Sequence, residues 1–161
     1  MIWQTSSTSS ADTERLGELL GSQLSGGEVI ELRADLGGGK TTFVIGLARG
    51  AGSTDRVSSP TFTLSRIYKA KDFEIHHFDF YRLNDPGILR DQLAESLRSE
   101  QVVSIIEWAD IVKDVLPSDR LSIEFKPTAN SSEERQITIS YPLSMQNVIT
   151  RLETDWDEAR P

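Results

Sequence analysis

The sequence predicts an α/β fold, one domain in which a mixed parallel and antiparallel sheet is flanked by helices. Three observations carry that prediction. The β-branched run Val29-Ile30-Glu31-Leu32 leads into three consecutive glycines and then a helical stretch from Thr42 to Arg49. A second apolar run, Val102-Val103-Ser104-Ile105-Ile106, has the length and composition of a strand buried on both faces. Alternating runs at Thr61 to Tyr68 and Phe73 to Phe80, with two more in the tail, supply antiparallel partners. A chain of 161 residues fits one domain, residues 1 to 161, and buries about 70% of its unfolded surface.

Along the chain, Ser9 is placed to cap a first helix through Asp12, and Leu16, Leu19, Leu20 and Leu24 follow at helical spacing until Gly26-Gly27 ends it. After the glycine loop, a second helix runs to Gly50 and Gly52, which stop it. Arg56 to Pro60 is a loop. The strand Thr61 to Tyr68, with Phe62 and Leu64 on one face, turns at Lys69-Ala70-Lys71-Asp72 into the strand Phe73 to Phe80. Asp85-Pro86 starts a helix whose apolar stripe is Ile88, Leu89, Leu93 and Leu97. Strands at Leu121 to Phe125 and Gln136 to Tyr141 flank the polar Thr128 to Arg135 loop, and a short helix covers Leu143 to Leu152. Residues 153 to 161 are expected to form a frayed tail.

The octapeptide Ala34-Asp35-Leu36-Gly37-Gly38-Gly39-Lys40-Thr41 carries the chemistry. Between a strand and a helix it reads as a phosphate-binding loop, the P-loop of NTPase domains. Glycines let backbone N–H groups turn inward around a pyrophosphate, Lys40 reaches the β and γ phosphates, and the Thr41 hydroxyl ligates Mg²⁺. The helix N-terminus adds its positive dipole end. The nucleotide-binding segment is therefore Asp35, Gly37, Gly38, Gly39, Lys40, Thr41 and Thr42. Ala34 stands where the usual pattern has Gly, which a negative φ tolerates.

An ATP site also needs a carboxylate for Mg²⁺ at the C-terminal end of a buried strand. Glu107 and Asp79 qualify. Glu107 otherwise reads as a cap of the helix at Ala109, and Asp79 as a turn former or a partner of Arg82. Thr61, after Ser59-Pro60, is either an ordinary turn residue or a hydroxyl on a loop that rearranges with nucleotide state. His76 and His77 point to opposite faces of their strand and cannot chelate one metal together. Trp108 and Trp156 read as packing residues, with Trp108 shielding the adjacent carboxylate.

Composition narrows the function. Hydrophobic residues at 37% and charged residues at 26% describe an ordinary soluble protein, and no cysteine is present for disulfides, thiolate metal sites or a cysteine nucleophile. There is no apolar stretch of about 18 residues and no signal-peptide pattern, so a cytoplasmic location is expected. A net charge of −8 argues against a broad grip on nucleic acid and routes any link to RNA through a partner.

Taken together, ADLGGGKTTF at residues 34 to 43, SSPTFTL at 58 to 64, HFDFYRL at 77 to 83 and IEWAD at 106 to 110 resemble the TsaE (YjeE) family, in the family's order and approximate spacing. That family's bacterial ATPase is required for threonylcarbamoyl modification of tRNA adenosine beside the anticodon. The resemblance implies ATP and Mg²⁺ as cofactors, with Lys40 and Thr41 holding phosphate and metal. It implies Glu107 as a second Mg²⁺ ligand, Asp79 as needed for hydrolysis or its switch, and Thr61 as a switch residue near the γ phosphate. Ser10 falls at the family's adenine-contacting edge. The implied partners are TsaD and TsaB, which transfer the threonylcarbamoyl group while the ATPase resets their assembly; tRNA is met only through them, and no membrane is involved. Arg90 to Leu97 departs from the glycine-containing pattern usual after the HFD motif. A small-molecule kinase and a nucleotide-dependent binding module with incidental hydrolysis are the alternatives. No arginine finger is evident, so hydrolysis by the isolated chain is expected to be slow.

Overall fold

The computed structural model describes residues 1–129 and 131–160. Four strands run parallel in the centre of one sheet: β2 (Val29–Arg33), β4 (Glu74–Asp79), β5 (Val102–Glu107) and β6 (Leu121–Pro127). Antiparallel strands close both sides, β3 (Ser65–Lys69) on β4, β7 (Arg135–Ser140) on β6 and β1 (Ile2–Ser7) on β7. The order across the sheet is β1-β7-β6-β2-β5-β4-β3. The fold is thus α/β with a seven-stranded mixed sheet, as predicted; β4 and β6, expected only as antiparallel partners, also pair in parallel with β5 and β2.

Helices α1 (Ser10–Gly21), α2 (Lys40–Gly50) and α4 (Gln146–Ala159) bury Leu16, Leu20, Phe43, Val44, Leu47, Ile149 and Leu152 against one face of the sheet. On the other face, α3 (Gly87–Ser96) and a 3₁₀ turn at Ala109–Val112 cover Val29, Phe78 and Ile106 with Leu89, Leu93 and Val112. This alternation along β2, β4 and β5 buries both faces of the parallel strands.

Helices α1 and α2 touch backbone to backbone. A methyl group on Gly46 would stand 1.8 Å from the Glu14 carbonyl oxygen, and one on Gly21 would stand 2.0 Å from that of Leu47. Only glycine permits this approach. Arg49 on α2 then reaches both Glu14 and Glu18 on α1, the latter at 2.9 Å, so the helix that starts at the glycine loop is fixed along its length.

Several expectations are corrected. Residues 153 to 159 are not frayed: α4 continues to Ala159 because Trp156, 2% exposed, packs with Ile149 and Leu152, and its indole N–H donates to Thr5 at 2.7 Å. Pro161 lies outside the described residues. The strand predicted from Thr61 begins only at Ser65, because Leu64 takes φ 67° and breaks the extended run, leaving Phe62 81% exposed. Ile88 is also exposed and does not join the stripe of α3. Helix α2 includes Gly50 and ends at Ala51, with Gly52 at φ 84° as the stop. The Ile2–Ser7 strand had no counterpart in the prediction.

Candidate functional site

The loop between β2 and α2 is built from local geometry. Gly39 stands at φ 102° as the N-cap of α2, and no side chain caps that end. The first-turn N–H groups, which a helix cannot satisfy internally, therefore face the loop concavity. A Cβ on Gly38 would meet the Ala34 methyl at 2.5 Å, so the loop closes tightly only with glycine there. Ala34 is outside the positive-φ residues, consistent with its methyl being tolerated. Lys40 is buried, donates to the carbonyls of Ala34 at 2.9 Å and Asp35 at 3.1 Å, and lies 5.1 Å over the Trp108 ring. The ammonium is thus wrapped by the loop whose ligand it would contact.

The two carboxylates are the terminal residues of β4 and β5. Parallel pairing sets Asp79 opposite Glu107, so two residues 28 positions apart reach the same end of the sheet. Both are nearly inaccessible, at 1% and 3%. Asp79 Oδ2 accepts the Thr61 hydroxyl at 2.8 Å, and its Oδ1 accepts the Tyr81 N–H at 2.9 Å. The turn bond expected of an ordinary Asp is present, but Arg82 instead stacks on Phe62 at 4.4 Å. Glu107 does not cap the 3₁₀ turn at Ala109; Trp108 intervenes at φ 54°, and no side-chain cap is made. Glu107 Oε1 instead accepts from His77 Nε2 at 2.7 Å. Leu64 and Trp108, among the described residues the two non-glycine residues at positive φ, sit beside the carboxylates, Leu64 accepting the Asp79 N–H, and such conformations cost about 1–3 kcal/mol each.

Ser10, Gly37, Gly38, Gly39, Lys40, Thr41, Thr42, Thr61, Asp79 and Glu107 line one cleft of about 260 Å³. Asp35 gives the loop its carbonyl, while the residue borders a neighbouring cleft with Trp108, Glu31 and Lys126. Arg135 joins the first cleft from the start of β7, its Nε donating to the Gly38 carbonyl at 3.2 Å. Sequence reasoning missed it, because nothing local marks an arginine 97 residues away as a loop neighbour; its place follows from β7 pairing on β6.

The donor set is hard oxygen with one ammonium and a ring of amides. Among the described residues, no three His, Cys, Asp or Glu side chains form a metal cage. A magnesium ion, which retains waters and takes phosphate oxygens, needs only one or two such protein ligands; Thr41 and Glu107 could supply them. The residues fit phosphate and Mg²⁺.

Fold and loop define the class, an α/β domain whose glycine-rich loop joins a central parallel strand to a helix. The family model described as "Threonylcarbamoyl adenosine biosynthesis protein TsaE" matches residues 7–137, and the chain belongs to the TsaE family. It is 35% identical over 138 residues to the tRNA threonylcarbamoyladenosine biosynthesis protein TsaE of Bacillus subtilis, covering 86% of this chain and 84% of that one. The protein of the same name from Treponema pallidum is 36% identical over 134 residues, with 83% and 97% covered. The crystal structure of Bacillus subtilis YdiB superposes with a TM-score of 0.80 at 28% identity over 96% of both chains.

Proposed function

We propose that this protein is a Mg²⁺-dependent ATPase that supports threonylcarbamoylation of tRNA by binding TsaB and TsaD and resetting their assembly between turnovers. The observation that carries this reading is the convergence of the uncapped α2 N-terminus, Lys40, Thr61, Asp79 and Glu107 on one cleft. A cleft of about 260 Å³ is smaller than a typical cavity for a whole drug-sized ligand. It suits the triphosphate, with the base lying toward Ser10 and Arg135 at its rim.

On binding, Lys40 exchanges the Ala34 and Asp35 carbonyls for phosphate oxygens, and the first-turn amides of α2 surround the same group. Thr41 and Glu107 would hold Mg²⁺, which when bound neutralises charge building on the phosphoryl oxygens. Asp79, fixed by the Thr61 hydroxyl and the Tyr81 N–H, orients the attacking water or links it to the Thr61 loop. Trp108 and Tyr81, whose rings stand 4.8 Å apart, screen the Lys40 side from solvent.

The protein carries a net charge of −8, which is poorly suited to gripping tRNA alone, and none of its described helices is long and apolar enough to cross a membrane. The reading therefore routes contact with tRNA through TsaB and TsaD and has the protein work in the cytoplasm. Isothermal titration of Mg²⁺-ADP onto the protein and onto Lys40→Ala tests the nucleotide step. Charge-assisted hydrogen bonds of about 1.5–3 kcal/mol predict affinity roughly 10- to 100-fold weaker in the variant, with melting temperature nearly unchanged. Equal affinity contradicts the assignment of the loop.

A further inference from the structure

His77 is fully buried in the middle of β4, between Ile75 and Asp79 on the face that packs against the glycine-loop helix. An imidazole in that position is expensive. Among the described residues its buried Nδ1 has no hydrogen-bond partner, a defect that destabilises the fold relative to a satisfied group. An aliphatic residue, like its neighbours Ile75 and Ile105, would fill the space without that cost. Among the described residues the one compensating bond of the ring is Nε2 to Glu107 Oε1 at 2.7 Å. With Nδ1 unpartnered, the Nε2 proton is the one donated, and Glu107 receives it on one oxygen.

The register makes this contact specific. In the parallel pair β4–β5, His77 stands opposite Ile105 and Asp79 opposite Glu107, so the ring reaches two register positions further along the same face to meet the carboxylate. Glu107 is 3% exposed, and no other side chain among the described residues bonds it. One oxygen is thereby held by the ring, and the second accepts no side-chain hydrogen bond among the described residues while Glu107 lines the cleft.

We infer that His77 is a positioning residue: it locks the Glu107 carboxylate so that a single oxygen faces the divalent cation accompanying a bound nucleotide. This rests on the reading of Glu107 as a metal ligand. Carboxylate ligands are commonly oriented by such outer partners, and loss of the partner typically weakens metal affinity roughly 10- to 100-fold.

The test uses Mn²⁺ as probe, its free concentration read by electron paramagnetic resonance in the presence of saturating ADP, on wild type, His77→Met, His77→Gln and Glu107→Gln. Metal-free ADP affinity in EDTA and thermal melting are measured in parallel. His77→Met should weaken Mn²⁺ about 10- to 100-fold with EDTA affinity unchanged, and His77→Gln, whose amide can donate to the same oxygen, should recover most of the loss. If Glu107→Gln weakens Mn²⁺ and His77→Met does not, the positioning role is overturned while the Glu107 reading stands. If Glu107→Gln has no effect, both fall. Parallel losses of Mn²⁺ affinity, EDTA affinity and melting temperature in His77→Met would make the role merely structural and overturn it. Should His77→Met fail to fold, ¹⁵N-imidazole NMR of the wild type decides: the inference requires a proton on Nε2 whose resonance shifts when Mg²⁺ is added to the ADP complex. A bare Nε2, or no shift, overturns it.

Discussion

Glu31 shows at the residue scale how a charge survives inside a strand that reads as apolar. Its side chain is 3% exposed, and Arg33 and Arg120 each donate to one of its oxygens at 2.8 Å. Burial pushes the carboxyl up, but the two guanidinium hydrogen bonds outweigh it and hold it below the ordinary glutamate range. A depressed folded value means that the stabilisation is present above the unfolded value, about pH 4.3, and is lost as pH falls through the folded one. Acid unfolding of Glu31→Gln, followed by circular dichroism, should therefore show a shallower loss of stability below about pH 4.3 than wild type. An identical slope would mean that Glu31 carries no linked proton. The loop residues Gly37 to Thr42 were legible because their chemistry is contiguous, and Asp79 and Glu107 because each ends an apolar run. Arg135 and the His77–Glu107 bond were not, since both arise from strand pairing between segments 97 and 30 residues apart.

At the scale of elements, the approach of α1 to α2 depends on Gly46 and Gly21, glycines within the helices to which sequence reasoning gave no role. Gly46→Ala gains about 1 kcal/mol of helix propensity, yet its methyl meets backbone rather than a movable side chain. Overpacking of that kind costs about 1–3 kcal/mol, so thermal melting should fall by several degrees, and a higher melting temperature would refute the close contact. Helix α4 was cut short because its last turns carry Asp and Glu; the period of Ile149, Leu152 and Trp156 outweighs that polarity. Trp156→Ala should cost about 3–5 kcal/mol in denaturant titration, whereas a frayed tail would lose almost nothing. The Ile2–Ser7 strand escaped detection because its serines and threonines give little hydrophobic alternation; its order comes from pairing with Arg135–Ser140.

Across the whole molecule, the sheet order explains why one end does the chemistry. Strand β2 lies between β5 and β6, so the glycine loop emerges beside Glu107, one strand from Asp79 and within reach of Arg135 on the antiparallel side. The Thr61–Asp79 bond and the strained Leu64 and Trp108 tie that cleft to surface carrying exposed Phe62 and Tyr81. The glycine loop, the buried strands and the outer strands β3 and β7 were readable in the sequence; the β1 strand, the place of β4 and β6 in the parallel core and the long-range neighbours of the loop required the fold. The central claim is tested most directly by ATP hydrolysis of the purified protein, alone and with a matched TsaB–TsaD pair plus tRNA, beside Lys40→Ala and Glu107→Ala. Slow turnover that rises with the complex and disappears in both variants is the predicted result, while turnover indifferent to the complex, with no binding to it, would contradict a partner-activated ATPase.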